Sequence, residues 1–100
     1  MKSMNTAVKA VLEAIPSNVM FDTHFVLGQL MRNHSDQYLR HCAEFAQIDG
    51  CTLAAHQGIG RIIKTFDDDL VHRQDVDSFS ENIHGNASTC ALWLKLWEVA

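Results

Sequence analysis

Residues 44–66 read EFAQIDGCTLAAHQGIGRIIKTF. The order is helix, tight turn, helix. Gly50 breaks a helix that begins near Ser35, because glycine takes the left-handed conformation at a helix end without steric cost. Thr52 can cap the helix that follows. On that helix Leu53, Ile59, Ile62, Ile63 and Phe66 fall on one inner face, and Gln57, Arg61 and Lys64 fall on the other side. Gly58 and Gly60 lie inside it, where each costs about 1 kcal/mol relative to alanine. Either a close contact with another backbone keeps them, or the helix weakens near Gly58.

Upstream, Ala7, Val8, Val11, Leu12 and Ile15 recur at helical spacing, with Asn5 or Thr6 as the cap. Pro16, the chain's single proline, stops this first helix. A second helix runs from about Asp22, a good N-cap, to Asn33, with Phe25, Val26, Leu27, Leu30 and Met31 as its buried stripe. Ser35 caps a third, and Asp36 suits the dipole in its first turn. Tyr38, Leu39, Cys42, Phe45 and Ala46 share one face of it. After Phe66 the period changes. Cys90, Leu92, Leu94 and Leu96 alternate with Ala91, Trp93, Lys95 and Trp97, which reads as a strand. Leu70–Val76 reads as its short partner. DSFSENIHGNAS, residues 77–88, reads as a long loop whose tightest turn is His84-Gly85-Asn86.

The expected fold is one α+β domain over residues 1–100, mainly helical. Three to four helices precede a two-stranded C-terminal hairpin: an N-terminal helix in 1–16, a helical core in 22–66 and the hairpin in 70–97. A chain of 100 residues with 47% hydrophobic and 20% charged residues fits a single small core and is too apolar for a disordered chain. The formal net charge of -4 lacks the basic excess usual in a dedicated nucleic-acid binder. From Ser35 to Asp75, four basic residues stand against seven acidic ones. No apolar run approaches the roughly 18 residues of a membrane span, and the amphipathic start MKSMNTAVKAVLEAIP is no secretory signal. With Cys42, Cys51 and Cys90 as an odd set of thiols, the expected setting is the reducing cytoplasm.

Helices followed by a hairpin, with a glycine turn before the last helix, resemble a winged helix-turn-helix domain from about Asp22 to Trp97. Gly50 takes the turn, and Ala46 takes the small residue four before it, where the helices of that family cross closely. Phe45, Cys51 and Ile59 fall on inward positions. Asp49 and His56 depart from the pattern, standing where apolar residues are usual. ENIHGNASTCALW is also similar to small uncharacterised proteins of phages and other mobile elements. The first resemblance implies a DNA-binding regulator of transcription. The fourth helix would enter the major groove with Thr52, Gln57, Arg61 and Lys64 outward, and Arg73 would add a backbone contact. Asp67, Asp68 and Asp69 oppose that reading, since they repel phosphate at the end of the same helix. The alternative is an acidic protein-interaction or oligomerisation module, and a small enzyme with a His/Cys pocket is the third.

No catalytic motif is present, and the expectation is a non-enzymatic protein without cofactor or metal. His41, Cys42, Cys51 and His56 lack a Cys-x-x-Cys knuckle, and adjacent helical side chains diverge by about 100°. Cys90 beside the His84 turn is the one Cys–His pair to check. Asp67–Asp69 reads as a solvated corner. A homodimer is expected, with Trp93 or Trp97, or the first helix around Val8, Val11 and Leu12, at its interface.

Overall fold

The computed structural model describes residues 3–97. It is an α+β domain in which helix exceeds strand, in the order α1 (Met4–Ala14), β1 (Met20–Asp22), α2 (Thr23–Asn33), α3 (Ser35–Ala43), α4 (Cys51–Lys64), β2 (Val71–Glu81) and β3 (Ala87–Lys95). The sheet is antiparallel with strand order β1-β3-β2.

Helix α1 is capped by Ser3, whose hydroxyl accepts from the Thr6 amide at 3.2 Å, not by Asn5 or Thr6. Its Ala7, Val8, Val11 and Leu12 face the core, and it ends at Ile15 ahead of Pro16. The Lys95 ammonium comes in from the end of β3 and donates to the Ile15 carbonyl at 2.7 Å and the Glu13 carbonyl at 3.3 Å. A cation there suits carbonyls that have no partner inside the helix. Lys95 itself is buried. On the same face of β3, Trp93 is enclosed and Ala91 packs against the core.

Val8, Val11, Leu12 and Trp93 are therefore interior residues of one chain, which corrects their assignment to a dimer surface. Of those candidates Trp97 is the exposed one, at 74%. The helical stripes also need correction. Phe25 borders a groove between α1 and α2, Leu39 is exposed on α3, and Leu53 is exposed on α4.

Three further corrections concern the backbone. A third strand, β1, pairs Met20, Phe21 and Asp22 with Leu94, Trp93 and Leu92. Helix α3 ends at Ala43. The amides of Glu44, Phe45, Ala46 and Ile48 then reach back to carbonyls three residues earlier. This tighter winding exposes Ala46, and the chain reverses at Gly50, whose φ is 72°. The close crossing of α3 and α4 lies instead at Gly58, where an added Cβ would stand 3.2 Å from the His41 ring. Finally, residues 77–81 and 87–88 are strand, not loop. The turn itself is as read: Asn82 Oδ1 accepts from the amides of His84 and Asn86, and Gly85 has φ 78°.

The two inner glycines of α4 separate packing from propensity. Gly60→Ala meets open space and should stabilise by about 0.5–1 kcal/mol. Gly58→Ala meets the His41 ring, which is held by a 2.8 Å bond from Nε2 to the Ala55 carbonyl, and should destabilise. Chemical denaturation of the two variants checks both signs.

Candidate functional site between α4 and the hairpin

Thr52, Gln57, Arg61 and Lys64 are all exposed on α4, as its periodicity predicts. They do not project from an isolated helix. Gln57, Arg61 and Lys64 border a groove of 570 Å³ against Trp93 and Arg73 of the sheet. Thr52 and Gln57 border an adjoining groove of 590 Å³ that runs to the hairpin tip, and the two share Thr23, Gly60 and Ala91 as well as Gln57. The second groove is lined by Leu27, Leu53, Ile83 and three histidines, His24, His56 and His84, with no Asp, Glu, Lys or Arg. Arg61 and Lys64 form no ion pair among the described residues.

Arg73 is a different case. The pairing of β2 with β3 shifts between Arg73 and Asp77, leaving a bulge. The Arg73 guanidinium fills it, donating to the carbonyls of Gln74, Val76 and Leu92 and to the Asp77 carboxylate, and lying 5.9 Å from the Trp93 ring centre. Its donors are engaged within the sheet, which corrects its role as a free backbone contact. The aspartate corner is engaged too. Asp67 accepts from the Arg73 amide at 3.1 Å, and His72 Nδ1 bonds Asp68 at 2.6 Å.

The far wall of the groove hangs on Asp22. Its Oδ1 accepts from the Phe25 amide at 2.8 Å and caps α2. Its Oδ2 accepts from the hydroxyls of Ser78 at 2.8 Å and Ser80 at 2.7 Å. Burial works against the Asp22 charge. The bonds from Ser80, Phe25 and Ser78, with nearby His24, outweigh it and hold the carboxyl below its usual range. Ser80 has one proton and gives it to Asp22, so it accepts from His24 Nδ1–H at 2.7 Å. His24 Nε2 then stands 3.4 Å from Ser88 Oγ.

Behind α4, His56 Nε2 shares a 2.7 Å hydrogen bond with the Tyr38 hydroxyl. Burial, and after it the hydrogen bond and charge of Cys42, push Tyr38 up to about 12, so the hydroxyl stays protonated. Burial pulls His56 down, and His84, His41 and His24 add to the effect. Neutral imidazole is thus the favoured form.

The four residues weighed and set aside as zinc ligands are not brought together as one group. His41 bonds Ala55, His56 bonds Tyr38, and none of His41, Cys42, Cys51 and His56 belongs to a three-ligand group among the described residues. Cys90 instead clusters with Asp22 and His24, and His84 borders the same groove from the turn. Burial and then the Asp22 charge raise the Cys90 thiol, against the α2 amides of His24 and Thr23 and the Ser80 hydroxyl. A raised thiol is a poor nucleophile. His24, Ser78, Ser80 and Ser88 escaped the sequence reading. The available signal was the alternation Ser78-Phe79-Ser80, which reads as strand once the serines have an acceptor.

No protein-family model matches the chain, and neither a curated protein nor a solved structure is similar to it. Among the described residues, no helix is long and apolar enough to cross a membrane.

Two stability measurements probe this site. Asp22→Ala should lose about 0.5–2 kcal/mol through the cap alone and more through the two stranded hydroxyls. Asp22→Asn, which still caps, should lose less. For His56 the folded pKa lies below the unfolded value of about 6.5, so the unfolded chain binds more protons between the two. Its contribution is therefore present above about pH 6.5 and is lost as pH falls toward the folded value. Tm should drop between pH 7.5 and 5.5, as on the order of one pH unit either side of that value, and drop less in His56→Gln.

Proposed function

We propose that this chain is a winged-helix-like, non-enzymatic domain that binds a segment of another protein in the groove between α4 and the hairpin. The layout supports the winged-helix reading. A short strand after the first helix pairs with the last strand, and a long hairpin flanks the last helix. The observation that carries the function is the composition of the groove. One half is apolar and uncharged, with Leu53 65% exposed at its rim. The other half holds Arg61 and Lys64 without ion-pair partners among the described residues. The complementary ligand is a peptide segment with apolar anchors beside carboxylates. All three thiols are free, which supports a reducing, cytoplasmic setting.

The second reading is DNA, and one observation favours it: Thr52, Gln57, Arg61 and Lys64 are exposed together on α4. The charges weigh against it. No Lys or Arg occurs from Gln74 to Leu94, so the hairpin beyond its base brings neither to a phosphate. Asp67–Asp69 crowd the end of α4, and Arg73 is engaged in the bulge.

A displayed random-peptide library and a random-sequence duplex at low salt separate the two. Selected peptides should combine apolar and acidic residues, and Leu53→Asp or Arg61→Glu should weaken their binding about tenfold or more. Both changes lie on the surface. Salt-sensitive duplex binding lost in Arg61→Ala, without peptide enrichment, would establish the DNA reading instead.

A further inference from the structure

One cluster on the groove wall goes beyond peptide binding. A carboxylate oxygen of Asp22, a ring nitrogen of His24 and the sulfur of Cys90 all lie within 4.8 Å of one another. We propose that these three side chains form a binding site for a divalent zinc-like cation, with Asp22, His24 and Cys90 as ligands and Ser80 or a water as the fourth.

The donor chemistry comes first. Carboxylate oxygen, imidazole nitrogen and thiolate sulfur are the protein ligands of zinc, at about 2.0–2.3 Å from the ion. Tetrahedral ligands at those lengths stand about 3.3–3.8 Å apart. The present separations, all within 4.8 Å, exceed those values by about 1–1.5 Å at most. Charge balances as well: a 2+ ion with one carboxylate and one thiolate sums to zero (2 − 1 − 1). Binding displaces the Cys90 thiol proton to solvent, as metal binding to cysteine does.

The ligands are also held in place. Asp22 ends β1 and caps α2, His24 follows it in the first turn, and Cys90 lies within β3 opposite Ser78. Outer contacts orient the carboxylate, since Ser78 and the Phe25 amide both donate to it. Such contacts fix metal ligands in natural sites. Ser80 Oγ lies 2.7 Å from both Asp22 Oδ2 and His24 Nδ1. It stands between two of the three ligands. Rotation about its χ1 either vacates that point or keeps the hydroxyl as a ligand. All three ligands are half-buried, and His24 and Cys90 border the groove, which leaves the ion a path in. The second acidic group, Asp67, Asp68 and His72, offers no sulfur and lies on an exposed turn whose own bonds account for it.

The site does not depend on the peptide reading, and its test is independent. The full chain, stripped with chelator, is titrated with Co²⁺. A thiolate-to-cobalt charge-transfer band should appear in the near ultraviolet and saturate at one equivalent. Zn²⁺ should abolish it and raise Tm. Cys90→Ser should remove the band, whereas Cys42→Ser and Cys51→Ser should keep it. His24→Gln and Asp22→Asn should each weaken binding more than tenfold, and Ser78→Ala about tenfold as an outer contact. The Asn variant retains the α2 cap, and circular dichroism confirms the fold of each variant. Absence of the band in the unmodified chain overturns the site, as does a band that survives Cys90→Ser.

Discussion

One half-buried carboxylate joins the three parts of this fold. Asp22 closes β1, caps α2 and takes the hydroxyls of Ser78 and Ser80 from β2. Beyond the bulge at Arg73, the hairpin would otherwise pair only with itself, and an isolated two-stranded hairpin is marginal in water. The Asp22 bonds and the His24–Ser80 and His24–Ser88 contacts tie that distal half to the helical layer. They set where the hairpin stands, and so the width of the groove beside α4. The desolvation of Asp22 is offset because each of its oxygens has a donor, which is the condition for burying a charge.

The proximal half is held by cations. Lys95 reaches the last carbonyls of α1, and Arg73 fills the bulge against Trp93. The chain has eight Lys and Arg in all, so committing these to the interior and the sheet leaves its surface poorer in positive charge. The same residues that shape the sheet thus bias the outer surface away from polyanions. Internal architecture and surface charge are coupled through one small set of basic side chains.

The helices were legible because their signals are local. Apolar period, Pro16, the Asp22 cap and the Gly50 turn each act within a few residues. Strand β1 was not legible: it has three residues, and its partner lies over seventy positions away, Phe21 against Trp93. The distal hairpin was misread for a related reason. Ser78 and Ser80 look like loop residues until their acceptor, 56 and 58 positions earlier, is in view. Likewise, the exposed face of α4 follows from periodicity, whereas the Asp22, His24 and Cys90 cluster needs the tertiary fold. Cys90 stood out in the sequence only through its chain neighbour His84. Phe25, Leu39 and Leu53 failed in the opposite direction, because periodicity says which residues share a face and not how wide the neighbouring element is.

The two serines also fix which way the distal strand faces. In an ordinary half-buried strand the apolar residues turn inward and the serines outward. Beyond its bulge β2 does the reverse: Ser78 and Ser80 are drawn in by Asp22, and the pleat then turns Phe79 out, 72% exposed. A slip of one residue would bury Phe79 but place every side chain of the strand on the wrong face and strand the carboxylate. Two charge-assisted bonds to a half-buried acceptor, each typically worth about 1.5–3 kcal/mol, together exceed the roughly 1.5–3 kcal/mol gained by burying one phenylalanine. The hydrogen bonds therefore favour the observed register, together with the Asn82 turn. The exposed aromatic that results is surface a protein partner can use and a phosphate backbone cannot.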